Sequence, residues 1–117
     1  MKSGASLVLG AVALAIAATA VQATGFANYF AVIRPTGTVK QGVGVVSATR
    51  RAVGLYEIKF ARPLSACAYF ATILGGTPGM ITAAKKGGVT DTAIVRTFSK
   101  AGVRTDMTFN LLVQCNS

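Results

Sequence analysis

Beyond residue 24 the hydrophobic positions recur at every second residue rather than at a helical spacing of about 3.6, a period that predicts β-strands. The last segment shows it best. Met107, Phe109, Leu111, Val113 and Cys115 alternate with Thr108, Asn110, Leu112 and Gln114, giving one apolar row and one mostly polar row. Tyr56, Ile58 and Phe60 alternate in the same way with Leu55, Glu57 and Lys59. A third segment sets Cys67, Tyr69, Ala71 and Ile73 against Ala68, Phe70, Thr72 and Leu74, apolar on both faces as a central or interface strand would be. Weaker strands are expected within Ala27 to Ile33, at Val39, and over Val43 to Ser47, Met80 to Ala84 and Thr92 to Phe98. No segment in this part of the chain carries a helical stripe.

Turn signals separate these stretches at the spacing of an antiparallel protein. Arg34-Pro35-Thr36-Gly37-Thr38 reads as a type I turn with Gly37 in the left-handed position, and Ser99-Lys100-Ala101-Gly102 reads the same way. Gly75 to Gly79 and Lys85-Lys86-Gly87-Gly88 read as longer loops. The expected fold is all-β: a small antiparallel β-sandwich or partly closed barrel of seven or eight short strands, with one disulfide. Val32-Ile33-Arg34 before Thr36-Gly37 echoes Val95-Arg96-Thr97 before Ala101-Gly102, but hairpins of similar build account for that without a repeat.

The front of the chain has a different pattern. Lys2 precedes an uncharged apolar run from Leu7 to Val21, and Val21-Gln22-Ala23 satisfies the small-x-Ala rule of signal peptidase. Residues 1–23 are therefore expected to be a signal peptide cut after Ala23, with Ala18-Thr19-Ala20 as a second acceptable site. The competing reading, an uncleaved anchor, needs about 20 apolar residues, and the run ends at Gln22. No cysteine near the cut suits lipoprotein processing. Residues 24–117 then form a single all-β domain, secreted or periplasmic, with no integral membrane span after cleavage. Much of the mean hydropathy of +0.56 belongs to the discarded segment.

Cys67 and Cys115 are the two cysteines of the chain. In an oxidising compartment an even pair reads as a disulfide, and both fall in apolar rows, as an internal bridge requires. A metal site is disfavoured because the chain has no histidine. A catalytic thiol lacks a base beside it, and an intermolecular bond needs both cysteines exposed.

Several of these segments together resemble a small β domain of bacterial secreted proteins without an assigned activity, related stretches of which occur near the ends of collagen-like and phage tail-fibre-like chains. The resemblance runs through Asn28 to Arg34, Thr36-Gly37-Thr38, Gly42 to Arg50 and the closing strand to Cys115. Its most specific parts are Gly54-Leu55-Tyr56-Glu57-Ile58-Lys59-Phe60 and Cys67-Ala68-Tyr69. It implies extracellular placement, a structural or binding role and a tendency to oligomerise, and it carries over no functional residues. Collagen-like repeats are absent from this chain.

The residue inventory narrows the chemistry. Without histidine, a serine-type triad or a histidine general base is excluded. The three carboxylates, Glu57, Asp91 and Asp106, are scattered, which suits turn and surface roles better than a paired acid and base. Gly75-Gly76 and Gly87-Gly88 lack the strand–helix context of a phosphate loop. No catalytic residue, metal or cofactor is expected, and the protein is read as a non-enzyme.

Charge is the remaining feature. Lys2 leaves with the signal, so the 12 Lys and Arg become 11 against 3 acids, a net +8. Such a surplus draws a protein toward anionic surfaces such as lipopolysaccharide, teichoic acid, anionic lipid or extracellular DNA. The plainer reading is a solvated surface whose charges discourage edge-to-edge strand pairing. Arg50, Arg51, Lys85 and Lys86, placed at expected loops, are the first candidates for an anion-binding site; Arg96, Lys100 and Arg104 recur further on. The leading expectation is a structural or interaction domain that forms a homo-oligomer or meets an extracellular protein partner. The alternative is a cationic binder of polyanions or nucleic acid.

Overall fold

The computed structural model describes residues 26–116. The expected signal segment and its cut site lie outside the described residues. Eight strands succeed one another: β1 (Phe26–Ile33), β2 (Val39–Val43), β3 (Val45–Ala52), β4 (Leu55–Phe60), β5 (Cys67–Ile73), β6 (Gly79–Lys85), β7 (Thr92–Ser99) and β8 (Phe109–Asn116). They form two antiparallel four-stranded sheets, in the orders β2-β1-β8-β5 and β3-β4-β7-β6. The sheets stack as a sandwich and do not close into a barrel, which decides between the two architectures the pattern allowed.

Strand direction alternates along the chain, so the connections after β1, β3, β5 and β7 gather at one end of the sandwich, the turn end. Arg34 N–H donates to Thr38 O and Gly37 N–H to Arg34 O, with Gly37 at φ 91°, as the Pro-Thr-Gly signal implies. Ser99 to Val103 closes in the same manner with Gly102 at φ 83°. Past Val103 the chain departs from a hairpin. It makes a single bridge, Phe98 to Arg104, then crosses to the other sheet and starts β8.

The two inner rows supply the core. Ile33, Phe109, Leu111 and Val113 of the first sheet meet Tyr56, Ile58, Phe60 and Val95 of the second, all 0–1% exposed. Each such side chain contributes about 1.5–3 kcal/mol on burial. Tyr56 and Phe109 cross between the sheets edge to face, with ring centroids 5.0 Å apart. Cys67 stands directly opposite Cys115 in the β5–β8 ladder, with Cα atoms 4.0 Å apart, and the two form a disulfide. The bridge is internal, as both apolar rows implied, but it joins neighbouring strands of one sheet rather than the two layers.

Three local readings change. Arg50 and Arg51 lie within β3, not in a loop, and Lys85 ends β6. The Ser-Ala-Thr-Arg-Arg run hides its strand because β3 is a largely exposed edge strand: only Val45 and Ala48 are partly buried against the core, and two register irregularities break the alternation. The doubly apolar β5 is likewise an edge strand and not a central one. Between β2 and β3 a single residue, Gly44 at φ 77°, turns the chain from one sheet into the other.

Candidate functional site

The outer faces of the two sheets differ in kind. On the first sheet, ladder partners form rows of outward side chains running across the strands. One row is Val43, Phe30, Leu112 and Phe70; the next is Gln41, Val32, Asn110 and Thr72; a third is Asn28, Gln114 and Ala68. None of these residues is charged. Val43 is 52% exposed, Phe70 54%, Leu112 39% and Phe30 36%, and Phe26 at the start of β1 is 68% exposed. The only polar groups between them are amides and a hydroxyl, and Gln114 Nε2 donates to Asn28 Oδ1 at 3.2 Å. Phe30, Phe70 and Leu112 border a shallow depression of about 420 Å³.

The second sheet carries the charge. Its outward rows are Thr49, Glu57, Ile94 and Ala84, then Leu55, Arg96 and Thr82, with Lys59 beside Thr92. Glu57, only 13% exposed at its side chain, sits between two cations: Arg51 Nε at 3.1 Å and Lys86 Nζ at 2.9 Å. The Lys86 ammonium, and after it the Arg51 guanidinium, holds the Glu57 carboxyl below its ordinary range. Lys59 lies 3.9 Å from Asp91.

Arg50 faces elsewhere. Its Nε donates to Asp106 Oδ2 at 2.9 Å, while Asp106 Oδ1 accepts from Gly54 N–H at 2.7 Å and lies 3.2 Å from the Tyr56 hydroxyl. The Arg50 hydrogen bond is the main reason the Asp106 carboxyl is lowered. Burial, reinforced by Asp106, pushes Tyr56 up to about 12. The same hydroxyl reaches Pro35 O at 2.9 Å. One carboxylate thus clasps β3, the β3–β4 turn and β4 together, and Tyr56 extends the clasp to the β1–β2 turn.

Of the four cations singled out from the sequence, Arg51 and Lys86 meet at Glu57, and Arg50 is held by Asp106. Lys85 donates to the Lys86 carbonyl oxygen at 3.3 Å. The structure therefore brings one pair together, around a carboxylate that already neutralises part of its charge. Sequence reading caught the apolar surplus of β5 but not that β1 and β8 extend it into a face. The signal was present in Asn28, Asn110 and Gln114: the polar row of these strands is filled by amides where lysine or glutamate is usual.

Among the described residues no cluster of three or more Cys, Asp or Glu is placed to hold a metal, and no helix is long and apolar enough to cross a membrane. The disulfide fits an oxidising compartment outside the cytoplasm. Compared with protein-family models, with curated proteins and with solved structures, the chain matches none.

Proposed function

We propose that this is an exported, non-catalytic interaction domain that self-associates through the outer face of the β2-β1-β8-β5 sheet. The observation that carries the reading is the Val43-Phe30-Leu112-Phe70 row, an apolar stripe on a face whose outward rows hold no charge. Contiguous exposed apolar surface of this kind is a mark of interaction sites. A second copy is the occupant the charges favour. Each copy carries a large positive surplus, so two copies repel wherever their cations oppose one another. Meeting through uncharged rows avoids that.

Four strands about 4.8 Å apart and about seven residues long give a footprint of roughly 450 Å² per copy, at the small end for specific complexes. Association is therefore expected to be weak and concentration-dependent. Light scattering across a concentration series should show growth from monomer to dimer, and Leu112→Lys, at the centre of the stripe, should abolish it while leaving the fold intact. A monomer at every concentration, or association indifferent to Leu112→Lys, would overturn the assignment.

A further inference from the structure

The geometry points to a second docking surface, at the turn end of the β3-β4-β7-β6 sheet, built to rest on an anionic lipid bilayer. It lies on the other sheet and does not depend on self-association. Two turn tips meet there. Arg104 Nη1 donates to Val53 O at 3.0 Å, and Ser99 N–H to Val103 O at 2.8 Å, so the β3–β4 turn and the β7–β8 turn flank the same end of β7. Both tips present a valine to solvent: Val53 is 50% exposed and Val103 63%. Met80, 48% exposed, is the second residue of the neighbouring strand β6, paired with Phe98 in the row that Arg104 also joins.

Turn tips normally carry glycine and small polar residues, and neither valine contributes to the core. Nothing in the packing of the sandwich explains why both tips are aliphatic.

Around these apolar tips stand Arg96, Lys100 and Arg104. None has a carboxylate within salt-bridge distance among the described residues. Asp106, two residues beyond Arg104, faces Arg50, the Gly54 N–H and Tyr56 instead. Positive charge at this end is therefore uncompensated, in contrast to Arg51 and Lys86 at Glu57. Aliphatic tips ringed by cations suit a phospholipid surface, since the valines and Met80 reach the acyl boundary while the cations meet the phosphates. A nucleic acid would use the cations and have no use for the valines.

The test is co-sedimentation of the purified protein with vesicles of phosphatidylcholine alone and of equimolar phosphatidylcholine and phosphatidylglycerol. Binding is expected to the anionic vesicles only. Arg96→Ser, Lys100→Ser and Arg104→Ser together should weaken it on the order of 100-fold, from about fivefold per cation at the surface. Arg96→Lys with Arg104→Lys should retain it. Removing three cations from the opposite end, by Lys59→Ser, Arg62→Ser and Lys85→Ser, should weaken it far less; equal loss would show a non-specific effect of net charge and overturn the site. Val53→Ser with Val103→Ser should reduce vesicle binding, most visibly at high salt. If these valine changes leave it untouched, or if duplex DNA is bound as tightly as the vesicles, the surface is a general polyanion contact and the lipid assignment fails.

Discussion

The buried Tyr56 hydroxyl lies 3.2 Å from Asp106 Oδ1 and 2.9 Å from Pro35 O, joining a β4 core residue to two segments far from it in sequence. A hydroxyl has one proton and serves these acceptors in turn. Tyr56→Phe keeps the ring against Phe109 but leaves both acceptors short of a donor. It should lower stability by about 1–2 kcal/mol, read as a fall in Tm of several degrees for a domain of this size. An unchanged Tm would show that the Tyr56 hydroxyl contributes nothing to the clasp.

Stability should decline at both pH extremes for identifiable reasons. Asp106 and Glu57 titrate below their ordinary range in the folded state, so the unfolded chain takes up their protons first. Their contribution is complete above the usual carboxylate range and is lost as pH falls below about 4. Asp106→Asn should flatten this acid limb in pH-dependent urea melts.

On the alkaline side the sign reverses. Tyr56 titrates at about 12 when folded, whereas an unfolded tyrosine ionises near 10. Its contribution is intact below about 10 and is lost as pH rises toward the folded value. Tyr56→Phe should remove much of that alkaline slope, leaving the smaller part due to Tyr69, which burial also raises.

Gly44 is expected to resist substitution. It adopts φ 77°, and a Cβ there would run into the Tyr29 ring. Gly44→Ala faces the left-handed backbone cost of about 1–2 kcal/mol together with displacement of Tyr29, whose ring packs edge to face on Phe60. A loss above about 2 kcal/mol in chemical denaturation is expected. Gly76→Ala, where a Cβ meets nothing within 4 Å, should be nearly silent.

The Cys67–Cys115 bond closes 48 residues of chain. In the chain-entropy description this limits the unfolded ensemble by about 4 kcal/mol, a large share of the roughly 5–15 kcal/mol typical of whole domains. Replacing both cysteines by serine, or adding reductant, should lower Tm markedly without changing the strand content seen by circular dichroism. A Tm insensitive to reductant would contradict that role.

The strands with one buried face were legible because burial on alternate residues writes itself into the sequence: β4 and β8 could be read directly, and so could the pairing of the two cysteines. The Gly37 and Gly102 turns were legible because left-handed backbone selects glycine. Edge strands were not. In β3 only Val45 and Ala48 are partly buried, and register irregularities interrupt the alternation, so Ser47 to Ala52 shows no clear period and two arginines of a strand looked like a loop. β5, apolar on both faces, read as a central or interface strand; it is an edge strand, and its outer apolar row reflects its exposed surface and not a central place in the sheet.

Position in space was decided by tertiary structure alone. Asp106 meets Arg50 across 56 residues of sequence and Tyr56 across 50, contacts that no local pattern encodes. Whether the cations converge also depends on strand order, which places Arg51 and Lys86 on either side of Glu57 and leaves Arg96 and Arg104 near the exposed valines. The sequence by itself determined the all-β period, the internal disulfide and the basic surplus, since each comes from residue type and local spacing. Which outer face is bare of charge, and which cations keep theirs uncompensated, came from the stacking of two sheets, because only the ladder registers bring distant rows side by side.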